Sequence, residues 1–164
     1  MSDQVQEENK AIRVRRSRDA LTIWRIITHP RLWPHLSDDG SPSPEEYEPP
    51  MHESIYHLVA MNGTERAFGV VSFVPMNTVT YDAHIAILPA AWGPQSVAAA
   101  KAAVRWMFKN THAQRITASI LVKNRLAARV AKKVGFLPMG INPKSFLKDG
   151  ELQDQMLYGI SKEK

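Results

Sequence analysis

The feature that most constrains the fold is a repeated change of hydrophobic period between residues 78 and 136. Residues 78–88 and 116–122 have the branched and aromatic composition of strands, whereas apolar residues recur at helical spacing over 97–108 and 126–134. Strand, helix, strand and helix in this order predict a βαβ unit whose first helix follows a turn at residues 92–95. Such a turn exposes free backbone N–H groups and the positive end of a helix, so we expect an anion to bind there.

The charges are strongly segregated along the chain. The segment from Ala83 to Lys148 contains no Asp or Glu, and the segment from Leu32 to Glu65 contains no Lys or Arg. The basic segment predicts a negatively charged partner. Its cationic residues are Lys101, Arg105, Lys109, Arg115, Lys123, Arg125, Arg129, Lys132, Lys133, Lys144 and Lys148.

Length and composition predict one domain over residues 11–164, preceded by a loose polar tail over residues 1–10. The chain has 164 residues, of which 44% are hydrophobic, enough for one core. It has no cysteine, no apolar run of about 18 residues and no signal-peptide pattern at its N-terminus, so we expect a cytoplasmic protein without a membrane partner. The oligomeric state stays open, with a homodimer possible. Metal-ligand spacing is not found among His29, His35, His52, His57 and His112, and no metal is predicted.

The N-terminal third predicts a strand, a helix and a long irregular connection. Residues 12–16 alternate apolar and charged side chains as a half-buried strand does. Ser17 is a candidate helix N-cap, and Pro30 and Pro34 are expected to bend or divide the helix that follows. The proline-rich and acidic residues 37–50 predict an irregular connection, a type of segment that is often functional.

Local signals place the remaining elements. Asn62-Gly63 predicts a hairpin between strands at 54–60 and 67–74. Asn124 is a natural N-cap and Gly135 a natural C-terminal stop for the second helix of the βαβ unit. After residue 137 we expect two more strands, joined at residues 148–150, with the last at 156–160.

This order of elements resembles the GNAT superfamily of N-acetyltransferases over residues 12–160. The clearest local match is the segment from Asn124 to Gly135-Phe136, which is similar to the family's ending in Lys-x-Gly-Phe, and Gly140 also fits. The resemblance implies an α/β (α+β) fold with a central mixed, mostly antiparallel sheet of about six to seven strands flanked by helices. It also implies transfer of an acetyl group from acetyl-CoA to an amine carried by a small molecule or a protein.

The resemblance further implies where acetyl-CoA would bind. The edge of the strand at 85–88 would hydrogen-bond the pantetheine arm and splay from the strand at 116–122, and backbone amides of residues 92–98 would hold the pyrophosphate. The family usually has glycines where Gln95 and Val97 stand. The basic surplus at 123–133 suits the remaining phosphate, although a solvated helix face explains it equally well. The implied cofactor-binding residues are Ile85, Ala86, Ile87, Leu88, Trp92, Gly93, Pro94, Gln95, Ser96, Val97 and Asn124.

Asp82 and His84 are the candidate catalytic residues. They lie two apart on the central strand, so their side chains share one side of the sheet. Histidine exchanges a proton near neutral pH, and the resemblance puts the base on this strand, so His84 is the candidate base, directly or through water. The alternative is a core histidine bonded to the backbone. Many members of the family have a tyrosine proton donor where Ala131 stands here, and Tyr158 and Ser119 are possible substitutes.

The acidic connection suggests the nature of the acceptor. In the family this connection usually lines the acceptor cleft, so Glu45, Glu46 and Glu48 are expected to attract a cationic amine. A solvated loop explains the same composition. Trp24 and Trp33 are expected to anchor the core. The alternative role for Trp33 is to line the wall of the acceptor cleft.

Two other classes of function remain open. The first is a non-catalytic GNAT-like interaction or assembly module that has lost coenzyme binding. Gln95 and Val97 are the residues that distinguish this module from an active enzyme. The chain also looks like acetyltransferase-like proteins of tailed phages, some linked to head assembly. Nucleic-acid binding through the basic segment ranks last, because no binding motif and no interleaved aromatic residues accompany the charges.

Overall fold

The structure, a computed structural model, describes residues 12–63 and 66–164, and the predicted tail at 1–10 lies outside them. The described elements, in chain order, are β1 (Ile12–Arg16), α1 (Ala20–Ile27), α2 (Trp33–Leu36), β2 (Tyr56–Asn62), β3 (Ala67–Pro75), β4 (Thr80–Ile87), a short 3₁₀ helix (Pro89–Ala91), α3 (Pro94–Asn110), β5 (Arg115–Leu121), α4 (Arg125–Val134), β6 (Leu137–Lys148) and β7 (Glu151–Ser161).

One sheet joins all the described strands in the order β1-β2-β3-β4-β5-β7-β6. Every neighbouring pair is antiparallel except β4 and β5, which are parallel and connected through α3. The architecture confirms the predicted α+β fold, with a mixed, mostly antiparallel sheet of seven strands flanked by helices.

Helices cover both faces of the sheet. On one face Met107 of α3 and Ala131 of α4 pack in a cluster with Phe73 and Ile116 of the sheet. On the other face Ile23 of α1 and its neighbours pack against β2, β3 and β4. Because side chains alternate along a strand, β4 sends Asp82, His84 and Ala86 to the α1 face and the residues between them to the α3 face. The candidate catalytic pair therefore lies on the α1 side of the sheet.

The helix boundaries follow local chemistry, with one correction. Asp19, not Ser17, is the N-cap of α1, and its Oδ1 accepts the N–H groups of Leu21 and Thr22 at 3.1 and 3.3 Å. Ser17 instead accepts a hydrogen bond from the Asp19 N–H. Both residue types cap helices and they stand two positions apart, so residue preference alone did not separate them.

Asn124 and Gly135 act as predicted. The Asn124 Oδ1 accepts the N–H of Ala127 at 3.1 Å at the start of α4. Gly135 has φ 115° and ends the helix in the left-handed region that favours glycine.

The final hairpin is longer than predicted, because β7 begins at Glu151 rather than near residue 156. Its turn has φ 52° at Asp149 and φ 74° at Gly150, the backbone of a type I′ turn. In β6, register shifts between Pro138 and Gly140 and again between Asn142 and Phe146 interrupt the alternation. Residues 151–155, which the prediction left out of β7, are polar apart from Leu152, so their composition did not indicate a strand.

Hydrogen bonds attach the irregular connection between α2 and β2 to the rest of the fold. The Trp24 Nε1–H donates to the Pro44 carbonyl at 2.8 Å. The Asp39 carboxylate accepts the N–H groups of Asp149 and Gly150, both at 2.8 Å, at the tip of the final hairpin. These two N–H groups, with Gly150 the larger contributor, lower the pKa of the Asp39 carboxyl below its ordinary value of 3.8.

Candidate functional site

The sheet opens between β4 and β5. These strands pair only at their beginnings, where Thr80, Tyr81 and Asp82 lie opposite Arg115, Ile116 and Thr117. Beyond that point β4 continues to Ile87 and β5 to Leu121 without pairing. The predicted splay between the two strands is confirmed, and it leaves an internal edge of β4 unpaired.

The free backbone groups of this edge can be assigned from strand geometry. The Leu88 N–H donates to the Phe68 carbonyl of β3 at 2.9 Å. Because hydrogen-bonding groups alternate between the two sides of a strand, Ala83, Ile85 and Ile87 direct theirs toward β5 and into the gap. The gap is therefore edged by main-chain donors and acceptors.

The direction of the backbone groups reduces the number of β4 residues that can contact the pantetheine arm through the main chain. Ile85 and Ile87 face the gap as predicted. Ala86 and Leu88 are corrections, because their backbone groups are on the β3 side. Ala86 contributes a side chain to the cavity wall, and Leu88 packs against the core cluster beneath α1.

Two cavities follow the gap and form one cleft. The first, the strand cavity, has a volume of about 380 Å³ and is bordered by Asp82, His84 and Ser119. The second, the loop cavity, has a volume of about 370 Å³ and extends to Gly93 and Val97 at the start of α3. Both cavities include His35, Leu36, Ile85, Asn124, Ala127 and Val130 in their walls.

The start of α3 presents backbone donors to the loop cavity. Gly93 is the N-cap, and α3 begins at Pro94, so Gln95 and Val97 belong to its first turn rather than to a loop. The Ser96 N–H donates to the Gly93 carbonyl. Across residues 12–63 and 66–164, no partner accepts the N–H groups of Gly93 and Gln95, whereas the Val97 N–H belongs to the first intrahelical turn. Two free donors at the positive end of a long helix make an anion site.

The side chains that differ from the family pattern leave this site open. Val97 lines the wall of the loop cavity, and Gln95 is half-buried without being part of that wall. Gly93 has φ 106° and ψ −136°, a conformation that side chains rarely adopt. The backbone at position 93 therefore still requires glycine.

Trp92 does not offer the backbone N–H expected of it, because that group donates to the Pro89 carbonyl at 3.2 Å. Its indole N–H donates to the Ile87 carbonyl at 2.7 Å and closes the end of the β4 edge. The Arg31 guanidinium lies 4.8 Å from the centre of the Trp92 ring and brings a positive charge beside the loop. Sequence reasoning missed Arg31, because it comes from the connection between α1 and α2.

Asn124 and the basic face of α4 complete the outer end of the cleft. The Asn124 Oδ1 is occupied by the Ala127 N–H, which leaves its amide nitrogen as a donor toward both cavities. Arg129 and Lys133 line the loop cavity. Part of the basic surplus of α4 therefore borders the cleft.

Asp82 and His84 form a pair at the inner end. The His84 Nε2 lies 3.2 Å from the Asp82 Oδ2, and the Thr117 hydroxyl donates to the Asp82 Oδ1 at 3.0 Å. The side chain of His84 is 62% exposed, which contradicts the alternative of a core histidine. The carboxylate is thus held by β5 and orients an accessible imidazole.

The candidate proton donors are in different environments. Ser119 is exposed and lines the strand cavity with His84. Tyr158 is only 4% exposed in the core cluster beneath α3 and α4, so it does not substitute for the family tyrosine. Ala131, where the family often has tyrosine, lines the strand cavity with a methyl group.

A third cavity, the α1-side cavity, meets the cleft at His84. Its volume is about 300 Å³, and the Trp33 and Tyr47 rings, with centres 5.0 Å apart, form one wall. Trp33 therefore lines a cavity, and its role in the wall of the acceptor cleft stays a prediction. Glu45, Glu46 and Glu48 are exposed and are not part of that wall, so their attraction for a cationic amine stays a prediction beside the alternative of a solvated loop.

The chain belongs to a family of acetyltransferases. Residues 12–137, most of the chain, match the family described as Acetyltransferase (GNAT) domain. No match is found among curated proteins. None of the helices in the described ranges is long and apolar enough to cross a membrane. In the same ranges no three His, Cys, Asp or Glu residues converge as metal ligands.

Solved structures share the whole fold at low sequence identity. The ribosomal-protein-S5-alanine acetyltransferase from Vibrio fischeri is 20% identical with a TM-score of 0.75, over 92% of this chain and 93% of that one. The spermidine N-acetyltransferase from Vibrio cholerae, solved in complex with CoA and spermine, is 17% identical with a TM-score of 0.78, over 93% of this chain and 96% of that one.

Proposed function

We propose that this protein transfers an acetyl group from acetyl-CoA to an amine, with His84 as the general base. The observation that supports it is the single cleft formed by the unpaired edge of β4. At one end of this cleft are the free N–H groups at the start of α3, and at the other is the Asp82–His84 pair. A long ligand with an anionic end and a reactive end matches this arrangement.

The residues of the cleft fit acetyl-CoA. Ile85 and the Ile87 N–H would hydrogen-bond the pantetheine amides as a neighbouring strand does, and the amides of Gly93 and Gln95 would hold the pyrophosphate. Arg129 and Lys133 supply positive charge at the rim for the remaining phosphate. The thioester supplies an activated acetyl group to an attacking nitrogen.

The chemistry requires a neutral amine, because only an unprotonated nitrogen can attack a carbonyl. His84 would accept a proton from the amine, directly or through water. Asp82, fixed by Thr117, would keep the imidazole oriented and stabilise its protonated form. Ser119 is the candidate for returning a proton to the leaving thiolate.

The test compares two exposed histidines. We expect His84→Ala to lower kcat/KM for acetyl transfer at least tenfold, because general bases typically contribute about 10²–10⁴ in rate. His112→Ala removes an imidazole that lies outside the cleft and serves as the control. The melting temperature of both variants should stay near that of the wild type, since both side chains are exposed. Unchanged turnover of His84→Ala would remove this residue from the mechanism.

The competing function is a GNAT-like interaction or assembly module without coenzyme, of the kind suggested by the phage resemblance. Acetyl-CoA at about a hundred times its Kd would add roughly 2.7 kcal/mol of stability. For a chain of this size, that raises Tm by roughly 5–10 °C. A saturable rise supports the enzyme, and its absence supports the module. The cytoplasmic location is part of the same proposal and is tested by fractionation.

A further inference from the structure

The composition of the α1-side cavity indicates which kind of acceptor the protein uses. This inference rests on the function proposed above. The cavity meets the cleft at His84, so an amine held there would point at the candidate base. Its walls are the Trp33 and Tyr47 rings together with aliphatic side chains from α1, α2 and β3. None of the described residues in these walls is Asp, Glu, Lys or Arg.

The buried histidine of the cavity, His57, already has hydrogen-bond partners. His57 is 3% exposed, and its Nε2 and Nδ1 lie 2.7 Å from the Pro50 carbonyl oxygen and the Ser72 Oγ. If the ring is neutral, its one acceptor nitrogen is used by Ser72, and if it is protonated, it repels a cation. Neither state offers a site for an ammonium group.

Tyr47 supplies a neutral polar group rather than a charge. Burial raises the pKa of its hydroxyl, so the group stays protonated at neutral pH. Placing a second ammonium beside it would therefore cost desolvation energy without a counter-ion. A single amine avoids that cost, because it lies at the His84 end, beside the Asp82 carboxylate.

We propose that the acceptor is a primary amine on one compact apolar or aromatic body, and that a polyamine is a poor acceptor. The apolar body occupies the α1-side cavity, and its amine reaches His84. The exposed acidic residues at 45–48 increase the local concentration of cationic amines without contacting the bound acceptor.

The deciding experiment uses two amines of the same size. Hexylamine and cadaverine have equal numbers of non-hydrogen atoms, and cadaverine has a second ammonium where hexylamine has a methyl group. We expect kcat/KM for hexylamine to exceed that for cadaverine at least tenfold in the wild-type protein. Equal or reversed preference, with acetyl transfer intact, overturns the acceptor proposal and leaves the proposed function standing.

A variant tests the location of the discrimination. Leu36 is 40% exposed and lines all three cavities, so Leu36→Asp adds a carboxylate to the wall while disturbing little of the core. We expect it to lower the hexylamine-to-cadaverine ratio at least tenfold. Leu21→Asp is the matched control, because Leu21 is 61% exposed and lies outside these cavities. An unchanged ratio in Leu36→Asp contradicts the assigned cavity.

Binding separates the two proposals if no amine is acetylated. Trp33 lies in the wall, so quenching of tryptophan fluorescence reports occupation of the cavity. Tighter binding of hexylamine than of cadaverine upholds the acceptor proposal while the catalytic one fails, and the reverse order overturns it. If transfer does occur, faster acetylation of phenethylamine than of cadaverine supports the acceptor proposal, and the ratio of phenethylamine to phenylalanine amide distinguishes a free amine from the N-terminal residue of a peptide.

Discussion

Replacing Gly93 by alanine tests whether the backbone at the start of α3 forms the anion site. Gly93 has φ 106° and ψ −136°, and a Cβ added to it would have no atom within 4 Å. Steric crowding is therefore absent, and the whole effect comes from backbone strain. Holding alanine in such a conformation costs roughly 1–3 kcal/mol.

The strain lowers either the stability of the fold or the affinity for CoA. If the loop keeps its conformation, the free energy of unfolding falls by that amount, which lowers Tm by roughly 2–12 °C at this chain length. If the loop relaxes instead, Tm is retained and the free N–H groups no longer converge. The same energy then appears as a roughly five- to 150-fold weaker affinity for CoA.

The assay is thermal unfolding by circular dichroism with and without acetyl-CoA, together with titration of CoA by calorimetry. Gly40→Ala is the control, because Gly40 lies outside the left-handed region and a Cβ there meets only the Asp38 Oδ1, at an ordinary 3.6 Å. That control should be neutral or stabilise by up to about 1 kcal/mol. Wild-type stability together with wild-type affinity in Gly93→Ala would refute the reasoning.

Three further predictions concern stability. Leu58 is fully buried, so Leu58→Ala should cost about 2–5 kcal/mol by urea unfolding, whereas Leu152→Ala, at a 60% exposed position, should change it little; similar losses would contradict the assigned core. Asn124→Ala should lower the free energy of unfolding by about 0.5–2 kcal/mol through the lost cap and also weaken CoA binding. A loss of stability alone would mean that Asn124 does not contact CoA. The pKa of Asp39 is lowered on folding, so its contribution is present above the ordinary value of 3.8 and is lost as pH falls through the folded pKa. The urea midpoint of Asp39→Ala should therefore lie below that of the wild type at pH 7 and converge with it in acid. A difference between the two midpoints that does not change with pH would contradict a stabilising role of the Asp39 carboxylate.

Local chemistry made part of the fold predictable. Asn124 and Gly135 act within one or two residues of their own positions, so the sequence contains the whole interaction. The order of strands and the splay came from the resemblance rather than from periodicity. A three-residue parallel ladder leaves no pattern that distinguishes it from a longer one.

The parts of the site that were missed depend on contacts between distant segments. Thr117 reaches Asp82 only because of the register between β4 and β5. Arg31 reaches Trp92 because α1 packs on the sheet at a particular position. Neither register nor packing position has a signature in residue types, so both required the folded structure.

The unpaired edge of β4 also determines how the chain tolerates mutation. A peptide N–H or C=O is the same whichever side chain the residue has, so Ile85 and Ile87 offer the same contacts after exchange for any apolar residue that fits the core. Proline is the exception, because it removes the N–H group. The segment closest to the proposed chemistry should therefore be permissive to most apolar substitutions and intolerant of proline, a profile that saturation mutagenesis would reveal directly.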